Sequence, residues 1–103
     1  MEFKFGVRVG NLDEAVAWVE VATGSKSQAR ESSDLGGDYY AFGNPAGESA
    51  RMFNNRDIYD DGPVIDGCDE WPIVLMLDGA ERNSVVVQRL LEDSEHFVLV
   101  SAR

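Results

Sequence analysis

The sequence contains one cysteine, one histidine and few basic residues, and each shortage excludes a class of chemistry. Cys68 cannot form an internal disulfide bond, because the chain has no second cysteine. Zinc sites usually take roughly three or four nitrogen or sulfur ligands. Cys68 and His96 together cannot supply that number, so we expect no transition-metal centre.

Long apolar runs are also missing. No uninterrupted apolar run, Ile73–Leu77 included, is longer than five residues, whereas a membrane-spanning helix needs about 20. The first residues, Met1–Gly6, do not combine a basic segment with a following apolar stretch, so no secretory signal peptide is predicted. Together with the lone cysteine, these features favour a cytoplasmic protein.

Positive charge is scarce, with nine lysine and arginine residues against 19 aspartate and glutamate residues and a formal net charge of −10. A nucleic-acid-binding protein must neutralise phosphates with a basic face, and an anionic membrane attracts cations. We therefore expect no nucleic-acid partner and no membrane partner. The apolar fraction of 44% is typical of a folded protein, and the length predicts a single domain over residues 1–103, for which the element order below predicts an α+β fold.

Motifs for cofactors are absent as well. Gly24–Ser27 lacks the glycine-lysine-serine order of a P-loop. Aligning Gly62 with the invariant glycine of an EF-hand places Cys68 where a carboxylate is required, so that match fails. The failure does not exclude a calcium site of another type. We expect no cofactor and no metal.

Catalysis by a nucleophile needs a nucleophile, a base and an orienting group. His96 is the only imidazole, and it is expected in the loop before the last strand. Cys68 is followed by Asp69, whose carboxylate disfavours a reactive thiolate. The sequence therefore predicts no catalytic residues and no enzyme.

Local patterns predict the first half of the fold. Alternating apolar residues over Phe3–Val9 predict a strand, and Asn11 is a suitable cap for a helix that ends at Gly24. A weak alternation at Gln28–Glu31 allows a short strand. Stronger patterns follow: Asp38–Phe42 and Glu48–Phe53 are predicted to form a hairpin.

The pattern in the second half of the sequence predicts a strand, then a helix and then another strand. Ile73–Leu77 and Phe97–Val100 are predicted to be strands covered on both faces and parallel to each other. The helix between them is expected over about Ala80–Asp93, with Val86, Val87, Leu90 and Leu91 on its inner side. The predicted fold is a two-layer α+β sandwich, ferredoxin-like in part. It has a mixed β-sheet with two helices on one face and the order β-α-β-β-β-α-β.

Acidic and aromatic residues are concentrated in two segments. Between Asp57 and Glu70, six of fourteen residues are acidic and none is basic. Tyrosine and tryptophan dominate binding hot spots, and surface charge accelerates encounter. This composition favours a surface for a basic partner, although a solubilising acidic face with aromatic core residues is the alternative. The predicted contact residues are Glu31, Asp34, Asp38, Tyr39, Asp57, Tyr59, Asp60, Asp61, Asp66, Asp69, Glu70 and Trp71.

A resemblance to a known protein family implies a function for this surface. The run Ser32–Phe42, followed by Asn55–Asp57, an acidic stretch, the apolar strand Ile73–Leu77 and a closing helix, resembles immunity proteins of polymorphic toxin and contact-dependent growth inhibition systems. The resemblance extends to Leu91. It implies a small acidic protein that neutralises a cognate toxin domain by blocking its active site or substrate-binding face.

Three functions remain open on the sequence alone. Many toxin domains are nucleases with basic clefts, and an acidic inhibitor imitates the phosphate backbone. Alternatively, an open face or edge of the sheet pairs with a second copy to form a homodimer. The third function is a small-molecule-binding domain with Tyr39, Tyr40 and His96 around a shallow cleft.

Overall fold

The structure, a computed structural model, describes residues 1–9, 11–32, 37–43, 48–55 and 70–103. Within these ranges the chain forms six strands and two helices. In chain order they are β1 (Phe3–Val7), α1 (Leu12–Thr23), β2 (Gln28–Ser32), β3 (Gly37–Gly43), β4 (Ser49–Asn54), β5 (Ile73–Asp78), α2 (Val85–Glu92) and β6 (Phe97–Ala102).

The strands form one sheet in the order β2-β3-β4-β5-β1-β6. Every neighbouring pair is antiparallel. The two-layer α+β architecture is confirmed, but the prediction of a mixed sheet is wrong in this detail. β5 and β6 do run in the same direction, as predicted, yet β1 lies between them and pairs with both. The strand weakly predicted at Gln28–Glu31 is present as Gln28–Ser32 and adds one strand to the predicted order.

Helix α1 begins and ends where its sequence predicts. Asn11 caps it by accepting a hydrogen bond at Oδ1 from the backbone N–H of Asp13, at 2.8 Å. Gly24 ends it with φ of 69°, a left-handed conformation that suits glycine, and its N–H donates to the carbonyl of Glu20. The apolar residues at helical spacing, Leu12, Ala15, Val19 and Ala22, are buried.

Both helices lie on the same face of the sheet. The buried residues of α1 and of α2, such as Val19 and Leu90, share one core with alternate strand residues such as Phe5, Met52 and Leu75. Because β5 is central, Ile73–Leu77 is at most 7% exposed throughout, which confirms the prediction of a doubly covered strand.

The C-terminal helix and strand differ from the prediction. Helix α2 begins at Val85, not near Ala80, because Glu81 and Ser84 form a turn in which the Ser84 N–H donates to the Glu81 carbonyl. Leu91 is 42% exposed and does not lie on the inner side. β6 is an edge strand that pairs only with β1, so Leu99 is 37% exposed and the strand is not doubly covered.

The face of the sheet without helices carries a smaller apolar cluster. Phe53, Val74 and Met76 are buried there, and Tyr39 and Trp71 pack against them. The Trp71 indole occupies the space beside Gly6 that a β-carbon would need. The Arg8 guanidinium lies 5.7 Å from the centre of the same ring, at cation–π distance.

Candidate functional site

The structure describes five of the twelve predicted contact residues: Glu31, Asp38, Tyr39, Glu70 and Trp71. The other seven, Asp34, Asp57, Tyr59, Asp60, Asp61, Asp66 and Asp69, lie outside the described residues. The predicted surface is therefore assessed through the five that are described and through their neighbours.

Glu31 and Asp38 are brought together by the register of β2 and β3, which places them directly opposite each other. Directly opposite residues project from the same face with their β-carbons about 5 Å apart. Both side chains are exposed. Like charges at opposite positions of a sheet repel each other, so this pair concentrates negative charge at the sheet edge.

The strand alternation assigns this pair to the helix-bearing face. Tyr40 lies opposite Met52, and both contribute to the core beneath the helices. Asp38 is two residues before Tyr40 and therefore shares its face. Glu31 is paired with Asp38 and therefore projects from the same face. The two carboxylates thus lie beside α1 at the edge of the sheet.

A third carboxylate joins them from α1. The Tyr40 hydroxyl donates a hydrogen bond to Asp13 Oδ1 at 2.6 Å, which ties β3 to the first turn of the helix. This hydrogen bond raises the pKa of Tyr40 above its ordinary value of 10.0, and the negative charges of Asp13 and Asp38 raise it further. We call Asp13, Glu31 and Asp38 the acidic edge.

A shallow groove of about 500 Å³ runs beside the acidic edge. Its lining includes Asp13, Asp38, Tyr40 and the amide side chain of Asn54. Arg30 also borders the groove, and its guanidinium donates to Gln28 Oε1 at 2.6 Å. Carboxylates, an amide and a phenol can accept hydrogen bonds from a lysine or arginine side chain that enters from a partner.

The predicted aromatic residues do not lie with the acidic edge. Tyr39 is opposite Phe53, and Phe53 is opposite Val74, so Tyr39 belongs to the helix-free face. Trp71 is half-buried against the same cluster. The described part of the predicted surface is therefore divided between two faces of the sheet. Tyr39 and Trp71 are partly buried and pack against this cluster.

The described residues that flank the predicted acidic stretch in sequence pair with each other. Asn54 pairs with Ile73, and the Asn55 N–H donates to the Pro72 carbonyl at 2.8 Å. These residues lie at the same end of the sheet as Asp38. Glu70, the described end of the stretch, is exposed.

The sequence analysis did not include Asp13 or Tyr40 among the predicted contact residues for a basic partner. Asp13 was explained by its favourable position in the first turn of α1. No local pattern shows that it meets a tyrosine 27 residues later. The alternation of β3 does contain a signal, because it places Tyr40, and not Tyr39, on the face of Asp38.

The cleft suggested by Tyr39, Tyr40 and His96 does not form. The two tyrosines project from opposite faces, and His96 precedes β6, four strand spacings or roughly 19 Å from β3. The His96 ring instead stacks on Trp18 with 3.7 Å between ring centroids. Its Nδ1 lies 2.9 Å from both carboxylate oxygens of Asp93, so it stabilises the turn before β6.

No family model and no curated protein matches this chain. Among the residues that the structure describes, no group of three or more histidine, cysteine, aspartate or glutamate side chains is placed to hold a metal ion. The described part of the chain also contains no helix of the length and apolar character needed to cross a membrane. The acidic edge is thus the feature from which a function is inferred.

Proposed function

We propose that this protein is a toxin-neutralising (immunity) protein that binds a basic surface of its partner through the acidic edge. The observation that supports this most strongly is the Glu31–Asp38 pair, which places two exposed carboxylates opposite each other at a cost in stability. A partner that supplies lysine or arginine side chains relieves this repulsion when it binds.

The charge of the whole molecule supports the same partner. A net charge of −10 on 103 residues produces a negative field that attracts a basic protein and accelerates encounter. Salt limits such attraction to a range of about 8–10 Å under physiological conditions. The complex is therefore expected to form more slowly as salt concentration rises.

A binding role, and not catalysis, fits the chemistry of the acidic edge. The raised pKa of Tyr40 keeps the phenol protonated near neutral pH, and its hydroxyl already donates to Asp13. A phenol in this state is a poor general base. The composition fits a cytoplasmic protein, and we include that location in the proposal.

Two structural features disfavour the homodimer alternative. Pairing two copies of β2 antiparallel along their full length places Arg30 opposite Arg30. At the other edge, the register between β1 and β6 shifts so that Val100 has no opposite residue. Such a bulge interrupts the regular edge that a second copy requires.

The proposal is tested by capturing partners with the tagged protein from lysate of its own source at low and high salt. The captured protein is then expressed alone and together with this chain. We expect a basic protein that is toxic alone, harmless in co-expression, and retained less well at high salt. The double variant Glu31→Lys/Asp38→Lys is expected to lose both capture and protection.

The matched control is Glu81→Lys/Glu95→Lys, which changes the net charge equally at exposed positions flanking α2. It is expected to keep most of the protection. Equal protection by the charge-reversed acidic edge, or a captured protein whose activity this chain leaves unchanged, would overturn the proposal.

A further inference from the structure

We propose that β2 is the docking strand of this protein, and that an extended basic segment of the partner pairs with its open edge and continues the sheet. This inference rests on the proposed function and specifies how the partner is held. The structural feature that supports it is an edge strand beside the acidic edge that no other described strand or helix covers.

Within the described part of the chain, β2 is the outermost strand and its one strand partner is β3. Four of its five residues are exposed, and the fifth is half-buried. On an edge strand, alternate backbone N–H and C=O groups point away from the sheet and form a template for another strand. Extended peptides bind many proteins by adding to such an edge.

The two edges of the sheet differ in how well they are protected from pairing with a further strand. β6 carries the bulge at Val100, which breaks regular pairing. β2 carries no proline, and its register with β3 is regular from Gln28 to Ser32. Helix α1 packs on β3 and β4. Among the described residues, no proline, bulge or covering helix therefore blocks β2, and its charged residues Arg30 and Glu31 instead restrict which strands can pair with it.

The side chains of β2 specify a basic occupant. On the helix-bearing side, Glu31 lies beside Asp38, and the small side chain of Ala29 lies opposite Tyr40. A lysine or arginine from a docked strand can therefore reach across Ala29 toward Asp13. On the other side Arg30 favours an acidic or neutral neighbour. The expected partner segment alternates basic residues with neutral or acidic ones.

A second copy of this chain does not fit the same edge. Full-length antiparallel self-pairing brings Arg30 against Arg30, and each copy carries a net charge of −10. Charge complementarity thus favours a basic segment of another protein over a second copy of this chain.

The test uses synthetic peptides and amide exchange measured by NMR. The probe is a lysine–threonine repeat, and the first control replaces each lysine by glutamate. The second control keeps the lysines but carries N-methyl groups on alternate amides, which removes strand hydrogen bonds and preserves charge. We expect the lysine peptide to slow exchange of the outward amides of β2 about tenfold, and neither control to do so.

Proline variants of the protein complete the test. Consecutive amides of a strand point in opposite directions, so one of Ala29→Pro and Arg30→Pro removes an outward donor and leaves pairing with β3 intact. The folded variant is expected to bind the lysine peptide about tenfold more weakly. If both variants unfold, the comparison of the lysine peptide with its N-methylated form is the test of strand docking.

The outcomes separate this inference from the proposed function. Equal binding of the N-methylated peptide, or no β2 protection by the lysine peptide, would overturn strand docking. A captured toxin whose affinity the folded proline variant leaves unchanged overturns strand docking while the proposed function stands. Protection of β2 by the lysine peptide without any neutralised partner leaves strand docking standing and removes the proposed function.

Discussion

Glu31 of β2 lies directly opposite Asp38 of β3, so two exposed carboxylates share one side of the sheet at its outer edge. Like charges directly opposite each other in a sheet are destabilising, so we expect this pair to weaken the contact between β2 and β3. Asp13, in the first turn of α1, adds a third negative charge. Its hydrogen bond with Tyr40 holds this carboxylate beside β3. The proposed binding of a basic partner accounts for this concentration of negative charge.

The first prediction is that Glu31→Lys stabilises the free protein. The substitution replaces a repulsive cross-strand pair by an attractive one, which is worth about 0.5 kcal/mol at an exposed position. Urea denaturation measures the change in the free energy of unfolding. Glu81→Lys, with the same change in charge, is expected to have a smaller effect. Destabilisation by Glu31→Lys would contradict the assignment of the pair as repulsive.

The second prediction concerns the pH dependence that Tyr40 confers. Its folded-state pKa is raised above the ordinary value of 10.0, chiefly by the hydrogen bond to Asp13. The stability that this contact contributes is therefore complete below pH 10.0 and is lost as pH rises through the higher folded-state pKa. The stability difference between wild type and Tyr40→Phe should shrink over that alkaline range.

An absorbance titration checks the Tyr40 shift independently. The chain has three tyrosines, and subtracting the Tyr40→Phe curve from the wild-type curve isolates Tyr40. The difference curve should have its midpoint above pH 10.0. A midpoint at or below that pH would show that the hydroxyl does not donate to Asp13 in solution.

The third prediction is that Gly6→Ala destabilises the protein through Trp71. A β-carbon at Gly6 would overlap the indole ring, which must then leave its place on the helix-free face. Overpacking of this kind costs about 1–3 kcal/mol. Denaturation of the Gly6→Ala/Trp71→Ala double variant should show a strongly non-additive cycle, because removing the indole removes the clash.

Gly24→Ala is the matched control for this glycine. A β-carbon there meets nothing within 4 Å, so only the left-handed φ of 69° opposes the substitution. Its cost is expected to be about 1 kcal/mol and fully additive with Trp71→Ala. Additive behaviour at Gly6 as well would contradict the contact between Gly6 and Trp71.

The fourth prediction distinguishes two neighbouring leucines of α2. Leu90 is 0% exposed in the core shared by the helices and sheet, whereas Leu91 is 42% exposed. Leu90→Ala should cost about 2–5 kcal/mol, and Leu91→Ala less than about 1 kcal/mol. Thermal or urea unfolding measures both. Similar costs would mean that α2 is rotated relative to the position described.

Elements with strong local signals could be predicted from the sequence. Helix α1 has a capping asparagine at Asn11 and a terminal glycine at Gly24, and both act as expected. The apolar run Ile73–Leu77 predicts a buried strand because no polar residue interrupts it. The two-layer architecture follows from such elements, since each buries one face against the other layer.

The remaining features depend on tertiary contacts and have no local signal. The insertion of β1 between β5 and β6 decides that the sheet is antiparallel, and it also makes β6 an edge strand. The apolar sequence of β6 gave no sign of this. Similarly, the meeting of Asp13 with Tyr40 depends on how α1 lies across β3.

The candidate site was predictable only in part. Charge counting identified Glu31 and Asp38 but grouped them with Tyr39 and Trp71, because composition does not record which face a residue occupies. The period of two in β3 separates Tyr39 from Asp38. The cross-strand register that joins Glu31 to Asp38 is set by the whole hairpin and its packing.

The most direct test of the central claim is calorimetric titration of the purified partner into wild type and into Glu31→Lys/Asp38→Lys, each at low and high salt. The wild type should bind one-to-one, and its affinity should fall as salt rises. The charge-reversed variant should bind at least about tenfold more weakly and show a smaller salt dependence. Equal affinities, with the variant still folded, would contradict the assignment of the acidic edge as the partner-binding surface.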